Sequence, residues 1–356
     1  MRDERVKSLS KALFFVAVIV TVLLTIFNCI GRIHGARNFK SILKYAENEN
    51  NIEENEVVNA QNDENKAPFV LHKQGRGAVC IEQSTKRILF ENGAHDKCYP
   101  ASTTKILTAL IVLENLELDR IVTVPAEAQG VEGSSLYLKA GQKITVEDLL
   151  LGLMLRSGND AAVTLAIETC GDVKSFAKLM NEKARSVGAV NSHFANPHGL
   201  DDKAHYTTAY DMALITADAY ENEDFCRIVN TKQAKIEIDG EPCYIANKNK
   251  LLKTYEGANG VKTGYTKKSG RCFVGGAFKD GMQVISVVFN HGDMWNDTVR
   301  MLDFCFENFE MTPVEQALLS DGKNVVEWNA GALEAQDWTK LRFPLRKDGS
   351  EKLVAV

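Results

Sequence analysis

The sequence predicts an α+β domain in which strands from both ends of a central segment share one antiparallel sheet and flank a mostly helical middle. Residues 77–82 and 87–90 carry β-branched and apolar residues on either side of a polar turn, as in a hairpin. Five segments between residues 102 and 220 repeat apolar side chains every three to four positions, as helices do. Residues 261–290 return to strand-like patterns. Strands at both ends favour a single sheet built from both.

The individual elements can be placed from their periodicity. Helices are expected at 102–116, 146–156, 160–170, 173–186 and 208–220. Strands are expected at 261–266, 271–278 and 282–290, followed by an amphipathic helix at 295–309 and a short strand at 324–328. Asp280 and Gly281 form the dipeptide typical of a hairpin turn between the last two strands of the sheet.

Composition limits the possible partners. The 356 residues are 45% hydrophobic and 25% charged, as in ordinary globular proteins, and the net charge is −5. Nucleic acid binding depends on concentrated Lys and Arg, and the sequence contains no basic stripe. Nucleic acid is therefore not an expected partner.

The N-terminal segment predicts contact with a membrane. Residues 12–30 carry no charged side chain and are long enough to cross a bilayer. Arg2, Arg5, Lys7 and Lys11 precede them, which favours a cytoplasmic N-terminus. The expected location is thus the cell membrane, with one span and the main domain on the extracytoplasmic face. A cleaved signal segment, which would leave a secreted protein, stays open.

Four parts of the chain are predicted from these patterns. Residues 1–34 form the cytoplasmic flank and the anchor or signal segment. Residues 35–67 form a polar stalk with too few apolar residues to bury. Residues 68–310 form the main domain, and residues 311–356 form a short C-terminal tail.

Neither a metal nor a disulfide framework is expected. The eight cysteines are irregularly spaced without a Cys-x-x-Cys pair, which favours buried free thiols, although at least one bridge stays open. His193, His198 and His205 share one loop, but their spacing matches no helical ligand pair. The prediction is therefore no metal and no cofactor.

Ser102 and Lys105 are the strongest candidates for chemistry. The Ser-x-x-Lys pattern also starts at Ser8, Ser41, Ser175 and Ser320. Only after Ser102 does a helix follow that is apolar nearly all round. Because residues three apart share a helix face, Lys105 can take the Ser102 hydroxyl proton if burial lowers the pKa of its amine. A simple helix cap with a solvated lysine is the structural alternative.

Ser157 and Asn159 form a second polar pair, on either side of Gly158 between two predicted helices. A hydroxyl and a carboxamide on one tight turn could relay a proton and hold a substrate amide. A helix-ending turn without function is the alternative.

Lys262, Thr263 and Gly264 form a third motif at the start of a predicted strand. The glycine permits close approach of a ligand, and Lys262 with Thr263 can bind a carboxylate. Lys268 begins a similar Lys-Ser-Gly triplet, but it falls at a strand end, so Lys262 is preferred.

Together these motifs resemble those of the penicillin-recognising serine enzymes, and most closely the low-molecular-mass D-alanyl-D-alanine carboxypeptidases of peptidase family S11. The resemblance runs from about residue 77 to residue 309 and includes segments 99–105, 156–162, 196–200, 210–213 and 260–265. It implies the β-lactamase/transpeptidase-like fold. It also implies a serine-type enzyme that removes the terminal D-alanine from peptidoglycan pentapeptide stems and is acylated by β-lactam antibiotics, its inhibitors.

The resemblance also implies a role for each motif residue. Ser102 is the nucleophile, Lys105 its general base, and Ser157 a proton relay toward the leaving group. The substrate-binding residues are Asn159, Lys262, Thr263, Gly264 and Tyr265. Within this set Asn159 orients the substrate, Lys262 with Thr263 holds its terminal carboxylate, and the N–H of Tyr265 joins that of Ser102 in the oxyanion hole.

Two departures from the family and two other functions stay open. Many relatives have a second, β-rich domain, so residues 311–356 are expected to be a vestigial or partial one. Many also carry an Arg before the last helix, whereas residues 290–299 contain none. A β-lactamase would need a fast deacylating arrangement, and no Glu-x-x-Leu-Asn-like loop lies between Asn159 and Lys262. A non-catalytic peptidoglycan-binding protein would bind D-Ala-D-Ala peptides without releasing D-alanine.

Overall fold

Two structural units make up the described part of the chain. The computed structural model describes residues 71, 75–328 and 340–355. The larger unit lies within Asp63–Met311 and the smaller within Thr312–Val356. All the motif residues lie in the larger unit.

The larger unit contains nine strands and eight helices among its described residues. The strands are β1 (Gly77–Glu82), β2 (Ile88–Asn92), β3 (Ile121–Thr123), β4 (Lys143–Thr145), β5 (Gln233–Ile238), β6 (Glu241–Ala246), β7 (Ala258–Thr266), β8 (Gly270–Lys279) and β9 (Met282–Phe289). The helices are α1 (Lys105–Asn115), α2 (Val146–Leu151), α3 (Asn159–Cys170), α4 (Val173–Ser186), α5 (Ala209–Ala219), α6 (Glu223–Asn230), α7 (Leu251–Thr254) and α8 (Met294–Asn308).

The main sheet joins the two ends of this unit, as predicted. Its order is β2-β1-β9-β8-β7, and β1 pairs antiparallel with β9, with Gly77 opposite Phe289. Asp280 and Gly281 turn the chain between β8 and β9, both with positive φ, as the type I′ hairpin signal requires. The α+β prediction with a sheet of N- and C-terminal strands is confirmed.

The helical middle packs against one face of this sheet. Helix α1 is buried from Lys105 to Val112 and contacts α3, α4 and α5. The other face is covered by α8, whose Met301, Leu302 and Cys305 join a second apolar cluster with Phe273 of β8. A helix buried all round is held rigidly, which suits an element that begins with the candidate nucleophile.

The chain departs from the expected helix over 146–156. Helix α2 ends at Leu151, and a wider π-type turn over Gly152–Arg156 follows. Ser157 then adopts a left-handed conformation with φ +67°, and the Gly158 N–H donates to Gly152 O at 3.2 Å. Such turns inside helices are often found at functional sites.

Several small elements were not predicted. The pairs β3–β4 and β5–β6 and helix α6 lie in segments for which the sequence predicts no element. A signal for one pair was present, because Asp239 and Gly240 between β5 and β6 both have positive φ in the manner of a hairpin turn. Polar, largely exposed strands such as β5 give only a weak apolar alternation.

The smaller unit has its own apolar cluster. Strand β10 (Phe309–Pro313) begins in the larger unit, ends in the smaller one and leads into α9 (Val314–Leu318). The other strands of the smaller unit are β11 (Asn324–Trp328), β12 (Arg342–Arg346) and β13 (Glu351–Ala355). β11 and β13 pair in parallel, which confirms the strand expected at 324–328. Its core consists of Val314, Ala317, Leu318, Phe343, Leu345 and Leu353.

The expected location at a membrane is corrected. The predicted span at 12–30 and the stalk at 35–67 lie outside the described residues. No helix in the described ranges is long and apolar enough to cross a bilayer, and α8 has 15 residues where about 20 are needed. The prediction of a membrane location through one N-terminal span is therefore wrong as stated.

The cysteines of the described ranges are seven free thiols, in line with the preferred interpretation. Four of them, Cys80, Cys98, Cys272 and Cys305, are buried. Burial is also the main cause that raises the pKa of the Cys98 thiol to about 12 and that of Cys272 to about 11. Both thiols therefore stay protonated near neutral pH.

Candidate active site

The candidate nucleophile lies on a tight turn that leads into α1. Ser102 belongs to a 3-10 turn over Ala101–Thr104, in which the Thr103 hydroxyl donates to Pro100 O at 2.8 Å. Ala101 has φ +49°, a left-handed conformation that costs a non-glycine residue of order 1–3 kcal/mol. Gly199 packs so closely that a Cβ there would overlap the Ala101 carbonyl oxygen. The turn is thus held in place by its neighbours.

The amine of Lys105 is fully buried and lies among three oxygen atoms. Its Nζ is 3.1 Å from Ser102 Oγ, 2.7 Å from Asn159 Oδ1 and 2.7 Å from His198 O. The orientation of the Asn159 amide follows from its other end, because Nδ2 donates to Glu132 O. Both carbonyl oxygens can therefore only accept hydrogen bonds from Lys105.

This arrangement directs the lone pair of a neutral amine at the serine. An uncharged Lys105 has two hydrogens, which Asn159 Oδ1 and His198 O accept, so its lone pair faces Ser102 Oγ. Burial, and then the positive charges of Lys262 and Lys248, hold the pKa of Lys105 well below its usual range. A lysine in this state can accept the hydroxyl proton.

Ser157, the candidate proton relay, is buried and is hydrogen-bonded to neither Ser102 nor Lys105. The left-handed turn buries its side chain, and Ser157 Oγ has no hydrogen-bond partner among the described residues. A buried hydroxyl without a partner is costly, so such groups are usually completed by a ligand or by water. The hydroxyl is therefore free to bond to a substrate.

Asp160 fixes the loop that faces the Ser157 turn. Its carboxylate accepts hydrogen bonds from the Ser135 hydroxyl at 2.6 Å and from the backbone N–H groups of Leu136, Leu138 and Ala161. The Asn159 N–H donates to Ser134 O at 2.7 Å. The start of α3 and the loop around residue 135 therefore form one rigid wall.

The third motif lies on β7, directly beside the nucleophile turn. A Cβ on Gly264 would lie 3.0 Å from Ser102 N, so a larger residue would have to push the strand and the Ser102 turn apart by a few tenths of an ångström. The strand backbone thus runs alongside the Ser102 N–H, as a shared oxyanion hole requires. Tyr265 follows with 66% of its side chain exposed.

Lys262 is buried with its amine donating to Thr263 O at 2.9 Å. Burial, with a further contribution from the charge of Lys248, lowers the pKa of Lys262 to about 7. Its charge is therefore sensitive to any anion that binds nearby. Lys268, the competing candidate, is exposed at the turn between β7 and β8.

The other Ser-x-x-Lys serines in the described ranges have structural partners. Ser175 lies in the first turn of α4, where its N–H and hydroxyl both donate to Asp172. The Ser320 hydroxyl donates to Glu351 O. Ser8 and Ser41 lie outside the described residues. Ser102 is the serine of this pattern in the described ranges whose hydroxyl lies beside a buried lysine amine, 3.1 Å from Lys105 Nζ.

Some groups at the site were not anticipated. The His198 carbonyl and the Glu132 carbonyl are backbone atoms, which no residue pattern announces. Lys248 lies in the polar run 247–250, which is typical of a solvated loop. The sequence contained no signal for the placement of its amine at Ser134 Oγ, 3.1 Å away.

His205 supports the nucleophile turn as a neutral ring. Its Nδ1 accepts from the Ala195 N–H at 3.1 Å, so the proton lies on Nε2, which donates to Thr104 Oγ1 at 2.8 Å. Burial is the main cause that lowers the pKa of His205 to about 4. The ring therefore resists protonation in the folded protein.

A loss of stability in mild acid is expected from this histidine. Because the unfolded pKa is about 6.5 and the folded pKa lower, the stabilisation exists above pH 6.5 and is lost as pH falls toward 4. Because protonation of His205 is disfavoured in the folded protein, the free energy of unfolding should be about 2 kcal/mol lower at pH 5 than at pH 8. Urea denaturation of the wild type and His205→Gln at both pH values measures it. An equal pH dependence in both proteins would contradict this expectation.

The sequence of this chain is similar to those of D-alanyl-D-alanine carboxypeptidases. Residues 62–293 match the family model Peptidase S11, described as D-alanyl-D-alanine carboxypeptidase. The relative DacF of Bacillus subtilis, a D-alanyl-D-alanine carboxypeptidase, is 34% identical over 253 residues, which cover 68% of this chain and 65% of the relative. DacC of Escherichia coli, with the same description, is 33% identical over 67% of this chain and 63% of its own length. The chain spans just under two thirds of these relatives.

Solved structures give the same result for the fold. A serine-to-alanine mutant of the Streptomyces K15 DD-transpeptidase superposes with a TM-score of 0.63 and 32% identity, over 67% of this chain and 99% of that one. DacD of Francisella tularensis, a D-alanyl-D-alanine carboxypeptidase, superposes with a TM-score of 0.64 and 29% identity, over 71% and 75%. The β-lactamase/transpeptidase-like fold expected from the motifs is therefore confirmed.

Proposed function

Because this chain belongs to the D-alanyl-D-alanine carboxypeptidase family, peptidase family S11, we propose that it is a serine-type D-Ala-D-Ala carboxypeptidase. Its substrate is a peptidoglycan stem peptide that ends in D-Ala-D-Ala, and it releases the terminal D-alanine. β-Lactam antibiotics acylate the same serine as inhibitors. Residues 68–310 form the catalytic domain in this proposal.

One observation carries the proposal: the buried Lys105 amine lies 3.1 Å from Ser102 Oγ and 2.7 Å from each of two carbonyl oxygens. Two carbonyl oxygens take the hydrogens of the neutral amine, and burial favours the neutral form. A helix cap or a solvated ion pair would not need a lysine that is 0% exposed. The pair is arranged for nucleophilic catalysis instead.

The reaction follows from these positions. Lys105 takes the proton from Ser102 as Oγ attacks the carbonyl carbon of the penultimate D-alanine. The N–H groups of Ser102 and Tyr265 stabilise the oxyanion, and its collapse expels the terminal D-alanine, whose nitrogen gains a proton through Ser157. Water then attacks the acyl-enzyme, and Ser102 recovers its proton.

The substrate is held on both sides of the reacting bond. Asn159 orients the peptide amide, while Lys262 and Thr263 bind the terminal carboxylate beside Gly264. The buried amine of Lys262 makes this an effective anion site, because an ion pair formed away from water is stronger than one at the surface. Such a site prefers peptides with a free C-terminus.

Two measurements on the full-length chain test this function. The first is release of D-alanine from a diacyl-Lys-D-Ala-D-Ala peptide, and the second is intact mass after exposure to penicillin. Release with a stable penicillin adduct is the expected result. Adduct formation with rapid penicillin hydrolysis would indicate a β-lactamase, and peptide binding without release would indicate a non-catalytic wall-binding protein.

The alkaline limb of the pH profile should report Lys262. Its folded pKa of about 7 means that the charge needed for the carboxylate is lost as pH rises through 7. The value of kcat/KM for the free peptide should fall by about tenfold for each unit well above pH 7. In Lys262→Arg the fall should disappear, because a guanidinium keeps its charge. The same fall with a carboxamide-ended peptide would contradict the assignment.

A further inference from the structure

Lys248, which belongs to none of the three motifs, is held at the edge of the candidate site. Its backbone N–H donates to Leu155 O at 3.3 Å, two residues before Ser157. Its amine donates to Ser134 Oγ at 3.1 Å, and Ser134 O accepts from the Asn159 N–H. The lysine is therefore attached at both ends to the wall that carries Ser157 and Asn159.

The residues beside Lys248 tie it to the opposite wall as well. Asn249 is buried, and its Nδ2 donates to Gly260 O at 2.7 Å, two residues before Lys262 on β7. Asn247 Nδ2 donates to Val229 O and to Thr231 O. A segment with so many fixed groups holds the lysine backbone in one place between the second and third motifs.

Three lysine amines thus gather in a protein whose net charge is −5. Hydrogen bonds place Lys248 beside the other two lysines: Ser134 bonds both to it and to Asn159, the partner of Lys105, while its neighbour Asn249 bonds to Gly260, two residues before Lys262. The charge of Lys248 also lowers the pKa of Lys105 and of Lys262. No carboxylate in the described ranges forms a salt bridge with any of them. Asp160, which is near Lys105, already accepts from Ser135 and three backbone N–H groups. Lys248 and Lys262 are thus two cationic amines without a carboxylate partner, which favours an anionic ligand.

The three amines differ in how well they keep a positive charge. Lys105 is buried and must be neutral to act as a base. Lys262 is buried too and has a pKa of about 7, so without an anion it is charged for only part of the time at neutral pH. Partial burial, and then the charge of Arg156, also lower the pKa of Lys248, but its side chain keeps contact with solvent, which favours the charged form. Lys248 is therefore the steadiest cation of the cluster.

We infer that Lys248 is a specificity-determining residue that binds the terminal carboxylate of the substrate together with Lys262. A carboxylate has two oxygens, and two separate amines can each donate to one. The charge of Lys248 also draws the anionic end of the peptide toward the site before contact. This inference rests on the proposed carboxypeptidase function and adds a residue to its substrate site.

The test compares two peptides that differ only at the C-terminus. Full-length wild type, Lys248→Gln, Lys248→Met and Lys248→Arg are assayed with a diacyl-Lys-D-Ala-D-Ala peptide and with its carboxamide. Release of the terminal residue is followed by mass spectrometry, and melting temperature is measured for each protein. Lys250→Gln is the matched control, because this exposed lysine lies two residues along and its amine has no described partner.

Removal of the charge should lower kcat/KM for the carboxylate peptide by about 10- to 100-fold, the usual effect of losing a hydrogen bond to a charged group. The carboxamide rate should stay within about twofold, since it offers no charge to pair. Lys248→Arg and Lys250→Gln should keep the wild-type preference for the carboxylate.

Two results would overturn the inference while leaving the proposed function intact. In one, both peptides lose rate equally in the neutral variants, which would mean that Lys248 acts on the fold or on Lys105. In the other, the preference for carboxylate is unchanged. A wild-type chain that releases no D-alanine would overturn the proposed function, and this inference with it. Because Lys248→Gln and Lys248→Met remove the same charge, a folding defect specific to one of them would not be mistaken for the loss of that charge.

Discussion

Replacement of Ser102 by alanine is expected to abolish the covalent adduct with penicillin and the release of D-alanine. The acyl-enzyme needs an oxygen at this position, and alanine supplies none. The substitution removes one hydroxyl from a turn that is held by Thr103, Pro100 and His205 rather than by Ser102 itself. The fold should therefore persist, and intact mass of the full chain after penicillin treatment should show no added mass.

Ser175→Ala is the matched control for this experiment. Ser175 starts the same Ser-x-x-Lys pattern, but its hydroxyl only donates to Asp172, the residue that caps the start of α4. Labelling of this variant should equal that of the wild type. An adduct that survives in Ser102→Ala would show that another residue is acylated, and the assignment of the nucleophile would be wrong.

Lys105→Met should lower the rate of acylation by about 10²- to 10⁴-fold, the range that a general base contributes. Ser102 and the neighbouring N–H groups remain, so slow acylation should still be detectable. The change also leaves Asn159 Oδ1 and His198 O without their donor. Each buried acceptor that loses its partner costs about 1–3 kcal/mol, so the melting temperature should fall too.

Lys178→Met is the matched control for the effects of Lys105→Met on acylation and on stability. Lys178 is the lysine of the Ser175 pattern and is exposed, so its loss should change neither acylation nor stability. Acylation is measured as the second-order rate constant with penicillin, using intact mass at timed intervals. A Lys105→Met chain that is folded and acylated at the wild-type rate would mean that Lys105 is not the base.

The order of apolar and polar residues along short segments was enough to predict the strands of the main sheet and to find the three motifs. The strands carry strong apolar alternation, and the Asp280–Gly281 dipeptide marks the turn between two of them, so β1, β8 and β9 could be placed closely. The helix after Ser102 could be recognised because a polar first turn precedes an apolar run that only Thr108 interrupts. Both signals depend only on residues near each other in the chain.

The parts that could not be predicted depend on distant residues. Lys105 is positioned by two carbonyl oxygens, one on α3 and one at His198, and no local pattern reports such a meeting. The left-handed Ser157 follows from a π-type turn that has the same apolar periodicity as the helix before it. In the sequence Lys248 has the polar neighbours of an exposed loop residue, and only the structure places its amine at Ser134 Oγ.

The pairing of β1 with β9 makes the active site depend on the completion of the main sheet. The strand that precedes every motif closes against the strand that follows them all, with Gly77 opposite Phe289. Contacts between such distant parts of a chain form late and slowly in folding. A chain in synthesis that already contains Ser102, Asn159 and Lys262 but not yet β9 therefore lacks the complete sheet that supports these residues. We therefore expect penicillin-reactive Ser102 only in chains in which β9 has paired with β1.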